Sequence, residues 1–197
     1  MINDASLVMI PSGYKDGTLY SVKPTNGDGD FTFTRGSNLA ATRVNSEGLI
    51  EKGRENLLLQ SNSFDVSSNW INNSSDETGG QAGYDGSNDA WKLTSTATSN
   101  AFTRQTVSSS GVITLSIYSK AGTSSFLLIA IQGGGNTWFN LSAGTIGTDA
   151  SISSNIEDMG SGWYRCSVVW NASITGVRLY VCDSDNSAAV MCGLFET

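Results

Sequence analysis

The chemistry this sequence offers lies in aromatic, amide and guanidinium side chains at alternating positions rather than in any nucleophile. Trp138 and Asn140 stand two residues apart in Thr137-Trp138-Phe139-Asn140-Leu141, as do Trp163 and Arg165 in Trp163-Tyr164-Arg165, and Arg178 and Tyr180 in Val177-Arg178-Leu179-Tyr180-Val181. In an extended strand that spacing places both members of a pair on one face. A sugar presents apolar C–H faces that stack on aromatic rings, and hydroxyls that need polar partners. If Phe139 and Leu141 face a core, Trp138 and Asn140 face outward; with Trp163, Arg165 and Tyr180 they are candidates for one glycan-binding platform. Packing is the competing explanation for Trp138 and Trp163, as cover for the ends of the core or beneath the N-terminal segment.

Acid–base and nucleophilic chemistry is poorly provided for. The 197 residues contain no histidine, which removes the commonest general base and every Ser-His or Cys-His pair. Hydrolysis by paired carboxylates needs two acids facing each other across roughly 5–10 Å. Glu157 with Asp158, and Asp183 with Asp185, instead fall in turn-like stretches where solvation explains them. Gly133-Gly134-Gly135 lacks the Lys of a phosphate loop. No catalytic residue is expected, and the protein is not expected to be an enzyme. No cofactor is expected beyond a structural calcium, for which Asp183 and Asp185, or Asp28 and Asp30, are the candidate oxygen ligands. Asp at such spacing more commonly forms turns.

These residues need rigid strands to position them, and the pattern supplies strands throughout. In Gly162-Trp163-Tyr164-Arg165-Cys166-Ser167-Val168-Val169-Trp170 the even positions form an apolar row, while Trp163, Arg165 and Ser167 form a face expected to be largely wet. Further strand-like runs cover 90–93, 102–107, 112–120, 126–131, 137–141, 177–182 and 188–195, with residues 72–89 expected to be a long polar loop and Asp183–Ser187 the tip of a last hairpin. Phe126–Ile131 is apolar on both faces and therefore expected at the centre of a sheet. Eight short strands need two layers to cover their apolar faces. The expected fold is all-β, an antiparallel two-sheet β-sandwich over residues 61–197, preceded by an extended N-terminal segment, residues 1–60. That segment has thin strands and no evident core, so it is expected to dock on the later domain or on another protein.

The bulk composition agrees with many turns: 22 Gly, only 2 Pro and 15% charged residues. A formal net charge of −7 with no long basic run argues against nucleic acid and anionic membrane as partners. No run approaches the roughly 18 apolar residues of a spanning helix, and the opening Met1–Ser6 shows no secretory pattern. Cys166, Cys182 and Cys192 are not at zinc-site spacings and read as buried free thiols.

Three motifs in order carry a resemblance: Phe31-Thr32-Phe33-Thr34-Arg35, then Ala41-Thr42-Arg43-Val44-Asn45-Ser46-Glu47-Gly48-Leu49-Ile50-Glu51, then Asn56-Leu57-Leu58-Leu59-Gln60-Ser61-Asn62-Ser63-Phe64 with Trp70. They resemble the opening of tailed-bacteriophage virion proteins of the tail-fibre and head-fibre kind. In those proteins the opening precedes a concanavalin-like or carbohydrate-binding-module jelly roll, whose strand motifs Ser116–Gly122 and Gly162–Arg165 resemble. The resemblance implies a non-enzymatic virion subunit, made in the host cytoplasm. Its N-terminal segment attaches to other virion proteins, and its sandwich contacts host-surface polysaccharide. It implies a homo-oligomer, a trimer by preference, since fibre subunits are commonly symmetric and a thin segment gains by packing against copies of itself. Members generally continue past the stretch that Gly193–Glu196 resembles, which implies a fragment or a short member. The alternative function is a glycan-binding module of a secreted bacterial carbohydrate-active protein.

Overall fold

A computed structural model of the protein describes residues 5–15, 18–32, 42–44, 46–53, 56–97, 100–187 and 192–196, and every regular element among them is a β-strand. The chain divides into two compact units, Met1–Asn56 and Leu57–Thr197. Leu57–Gln60 fall with the second unit because side chains of that unit hold their backbone. Gln105 accepts from the Leu59 amide at 2.7 Å and donates to the Leu59 carbonyl at 2.8 Å, while the Trp70 indole donates to the Gln60 carbonyl at 2.9 Å.

In the first unit β1 (Val8–Lys15), β2 (Thr18–Lys23) and β3 (Phe31–Thr32) form an antiparallel sheet in that order, and β4 (Thr42–Val44) pairs with β5 (Ile50–Lys52). Pro11 is tolerated inside β1 because that strand is an edge and its register with β2 is broken between Met9 and Tyr14. The β2–β3 turn is closed by Asp30, whose Oδ1 accepts from the Ser21 amide at 2.7 Å and the Ser21 hydroxyl at 3.1 Å. Gly29 beside it is buried, and a Cβ there would lie 2.8–2.9 Å from atoms of Leu7, Pro24 and Ser21. Among the described residues of this unit Tyr20, Val22, Phe31, Val44, Leu49 and Ile50 are all exposed.

The second unit contains β6 (Ile71–Asn73), β7 (Ser75–Gln81), β8 (Ala90–Ser95), β9 (Phe102–Ser109), β10 (Val112–Ala121), β11 (Phe126–Gln132), β12 (Asn136–Asn140), β13 (Thr145–Asp149), β14 (Ser153–Gly160), β15 (Trp163–Asn171), β16 (Ile174–Cys182) and β17 (Cys192–Glu196). They form two six-stranded antiparallel sheets, ordered β14-β15-β10-β17-β8-β7 and β13-β12-β11-β16-β9-β6. One hydrophobic cluster joins them: Leu93, Ile117, Cys166, Val168 and Trp170 from the first sheet meet Leu127, Ile129, Ile131, Phe139, Val177, Leu179 and Val181 from the second. Phe64 and Trp70, with ring centroids 4.6 Å apart, complete this core from the segment before β6. The protein is all-β, and its larger unit is an antiparallel β-sandwich with β11 in the interior of its sheet.

Several local expectations give way. Residues 72–89 are not one loop: β7 pairs with β8 along Ser75–Gln81, and Gly79 lies under the Trp91 indole, where a Cβ would come within 3.0 Å of the ring. Asp183–Ser187 does not close a hairpin, because β16 and β17 belong to different sheets. Glu157 and Asp158 lie in strand β14, where successive side chains point to opposite faces, so they do not oppose each other. The outer face of β15 is not uniformly wet either, since Trp163 is 2% exposed.

Two contacts at strand ends generate tests. Gly133 adopts φ +90°, and a Cβ there would strike the Ser173 carbonyl oxygen, so Gly133→Ala is expected to cost about 2 kcal/mol or more in a urea or thermal melt. Asp149 accepts from Thr137 Oγ1 at 2.8 Å, the Ser151 amide at 2.8 Å and Ser154 Oγ at 2.5 Å, linking β12 to the start of β14. Burial opposes its ionisation, but the bonds from Ser154, Ser151 and Thr137 outweigh it and hold the carboxyl below its ordinary value. A depressed carboxylate contributes stability that is present above its unfolded pKa and lost as pH falls through its folded one. Asp149→Asn is therefore expected to lower stability near neutrality and to flatten the acid limb of a stability-versus-pH profile.

Candidate functional site

The β13-β12-β11-β16-β9-β6 sheet is apolar on both faces, and its outer face carries the candidate site. Leu128, Ala130, Trp138, Tyr180 and Cys182 form a second hydrophobic cluster there, with Phe102 and Phe126 packed against it. Register arranges these side chains in rows, because residues directly opposite in a ladder share a face. Trp138, Leu128, Tyr180 and Phe102 are cross-strand partners in succession over β12, β11, β16 and β9. The next row, two residues along each strand, is Asn136, Ala130, Arg178 and Arg104. An aromatic row thus lies against a polar and cationic one. A pocket of about 390 Å³ opens over both, lined by Trp138, Leu128 and Tyr180 from the first row, by Asn136, Ala130 and Arg178 from the second, and by Ile131, Gln132 and Asn186.

The connection after β16 forms the pocket's wall. Asp185 accepts from the Thr148 amide at 2.8 Å, the Thr148 hydroxyl at 3.0 Å and the Asn186 amide at 2.9 Å. The Thr148 amide above all holds this carboxyl below its ordinary value. Asp183 accepts from the Ser124 hydroxyl at 2.8 Å, and the Trp138 indole donates to the Ser187 carbonyl at 2.9 Å. Gly147 permits the approach, since a Cβ there would lie 2.5 Å from Asp185 Oδ1. Asn186, between two pinned residues, is delivered to the pocket. Asp183 and Asp185, the candidate calcium ligands, therefore serve as loop anchors, and no group of three or more His, Cys, Asp or Glu stands ready for a metal among the described residues. Asp30 is occupied by Ser21, and Asp28 accepts from the Asn26 side chain at 2.7 Å.

Arg178 is the charged group of the pocket. Its guanidinium carbon lies 4.9 Å from the centroid of the Phe102 ring, and that ring leans on Tyr180 at 4.9 Å and 48°. The Arg178 Nε is buried and has no hydrogen-bond partner. An unmet buried donor costs roughly 1–3 kcal/mol, comparable with what a cation–π contact returns. Arg165 differs: it lies 3.7 Å from Glu157, with both side chains about half exposed, a pair worth at most about 1 kcal/mol.

The sequence-predicted platform is therefore divided. Trp138 and Tyr180 come together on one outer face. Trp163 and Arg165 stand on the outer face of the opposite sheet, where Tyr118 is the cross-strand partner of Arg165 and stacks on Tyr84 at 4.0 Å and 6°. Asn140 shares a strand with Trp138, but its Oδ1 closes the following turn by accepting from the Ser142 amide, the Ser142 hydroxyl and the Ala143 amide. Gln132, Asn136 and Asn186 were not among the expected site residues. Asn136 carried a usable signal, two residues before Trp138 on the same strand; Asn186 carried none, because its place depends on Asp185 finding Thr148.

No protein-family model matches the chain, and no curated protein matches it.

Cys166 and Cys182 are free and buried, and neither belongs to the pocket lining. Burial, with a smaller contribution from neighbouring Asp183, pushes the Cys182 thiol up to about 12, and burial alone pushes Cys166 higher still. Neither thiol is expected to react with iodoacetamide at pH 8 in the folded protein, and both should react in urea; mass spectrometry of the two samples checks this.

Proposed function

We propose that the protein is a non-enzymatic structural subunit of a tailed-bacteriophage particle, a fibre or other appendage component, whose sandwich binds host-surface glycan in the outer-face pocket. The observation that carries the binding part is the pocket's composition: the Trp138 and Tyr180 rings beside the amides of Gln132, Asn136 and Asn186 and the guanidinium of Arg178. Stacking surface next to fixed hydrogen-bonding groups is what a sugar ring requires. The virion part is supported by the three opening motifs described above.

The sandwich is a jelly roll in this reading, on the ground that the chain passes repeatedly between sheets, at β6 to β7, β8 to β9, β9 to β10, β10 to β11, β13 to β14, β15 to β16 and β16 to β17. The first unit is the attachment element. Among its described residues Tyr20, Val22, Phe31, Val44, Leu49 and Ile50 are exposed in a unit of two small sheets, apolar surface that a partner would cover. Copies of the chain related by a threefold axis, or a neighbouring virion protein, supply that partner.

Glycan binding by the intact protein is the direct test, on an array or by calorimetry at concentrations suited to millimolar affinities. Asn136→Ala and Asn186→Gly, the latter because Asn186 adopts φ +55° where Gly is unstrained, should weaken binding severalfold while leaving the melting temperature within a few degrees. Silence of the unaltered protein towards every saccharide sinks the binding reading. Particles assembled with a chain lacking residues 1–56 should lack the sandwich, as immunoblotting of purified particles would report; normal incorporation overturns the attachment role.

A further inference from the structure

We infer that the ligand of the outer-face pocket is an acidic saccharide, one whose carboxylate is taken by Arg178 while its ring lies against Trp138 and Tyr180. This rests on the glycan-binding reading and adds the charge class. Arg178 and Arg104 are direct cross-strand partners on β16 and β9, with Ile71 the partner of Arg104 on the other side. Like charges directly opposite in a ladder repel, and ordinary sheets place an acid near them. Among the described residues neither arginine has an acidic partner within 4 Å, and the Arg178 Nε is unpartnered although buried. No carboxylate lines the pocket. The two acids of the adjacent connection are turned to other work: Asp183 accepts from Ser124, and Asp185 from Thr148 and Asn186.

The chain as a whole repels such a ligand, with a formal charge of −7. Against that background the pocket lining carries one guanidinium and, among the described residues, no acid. The Arg178 Cζ lies 4.9 Å from the Phe102 ring centroid, a contact that restrains the guanidinium without consuming its donors. The two terminal nitrogens of a planar guanidinium match a carboxylate in two parallel bonds, which a hydroxyl cannot reproduce. Asn136, Gln132 and Asn186 remain for the hydroxyls, being able both to donate and to accept.

The test compares the intact protein's affinity for oligosaccharides bearing uronate, sialate or another sugar carboxylate with that for the same oligosaccharides after reduction of the carboxyl to the primary alcohol. The acidic member is expected to bind at least about tenfold more tightly, the value of one charge-assisted contact, and to lose that advantage as salt is raised. Arg178→Met, which keeps the apolar stem over Phe102, should abolish the preference, and Arg178→Lys should restore part of it; melting curves establish that each variant is folded. Equal binding of acidic and reduced ligands by the unaltered protein overturns the acidic assignment while leaving glycan binding intact. Failure of every oligosaccharide, acidic or neutral, overturns both. Because the comparison is made on the unaltered protein, it holds even if a variant does not fold.

Discussion

The arrangement of the sandwich follows from one constraint, the absence of a polar face on β11. Leu127, Ile129 and Ile131 are met by the other sheet of the sandwich, but Leu128 and Ala130 point the opposite way, into the outer-face cluster. Within the sandwich, cover comes from side chains of the same sheet. Three rings, Trp138, Tyr180 and Phe102, lean over that strip, and at roughly 150–250 Å² buried per ring the gain is on the order of 10 kcal/mol. No single hydrogen bond, at about 1 kcal/mol, competes with that. The ring positions are therefore dictated by packing, and the connection after β16 follows them through the bond from the Trp138 indole to Ser187.

Covering the sheet and lining the pocket are accordingly not rival roles for Trp138 and Tyr180. Each ring covers apolar surface beneath it and presents another part of itself to the pocket, which is why both are nearly buried and yet line a cavity. A platform built this way is rigid, because moving a ring uncovers the strip it protects. The polar groups around it are amides and one guanidinium, with no two carboxylates facing each other.

The first unit obeys a different balance. Its largest closed feature is the β2–β3 turn, where Asp30 caps Ser21 and Gly29 fits between Leu7 and Pro24. A few such contacts fix local geometry but bury little area, so its exposed apolar side chains dominate the surface it presents. The segment from Leu57 to Trp70 belongs instead to the sandwich, since Phe64 and Trp70 are each 1% exposed and Gln105 clamps Leu59 from within the second unit.

Alternation was enough to identify an all-β chain, to place β11 in the interior of a sheet and to tell inward from outward residues on β12 and β16. The strands of the sandwich it missed, β6, β7, β13 and β14, are the four edges of its two sheets. An edge strand is polar because water reaches one side of it and because apolar edges invite pairing with other chains, so it leaves no period to detect. Alternation also names a face without naming its sheet. Trp138 and Trp163 carry the same outward signature, and only the pairing order assigns them to opposite sheets. Arg178 reads as an ordinary outward residue in sequence. Its significance comes from Arg104 lying directly across the ladder and from every nearby acid being bonded elsewhere. Residue spacing along one strand is a local property and was settled by the sequence alone; which strands become neighbours depends on closing the whole core, and that decided where the site lies.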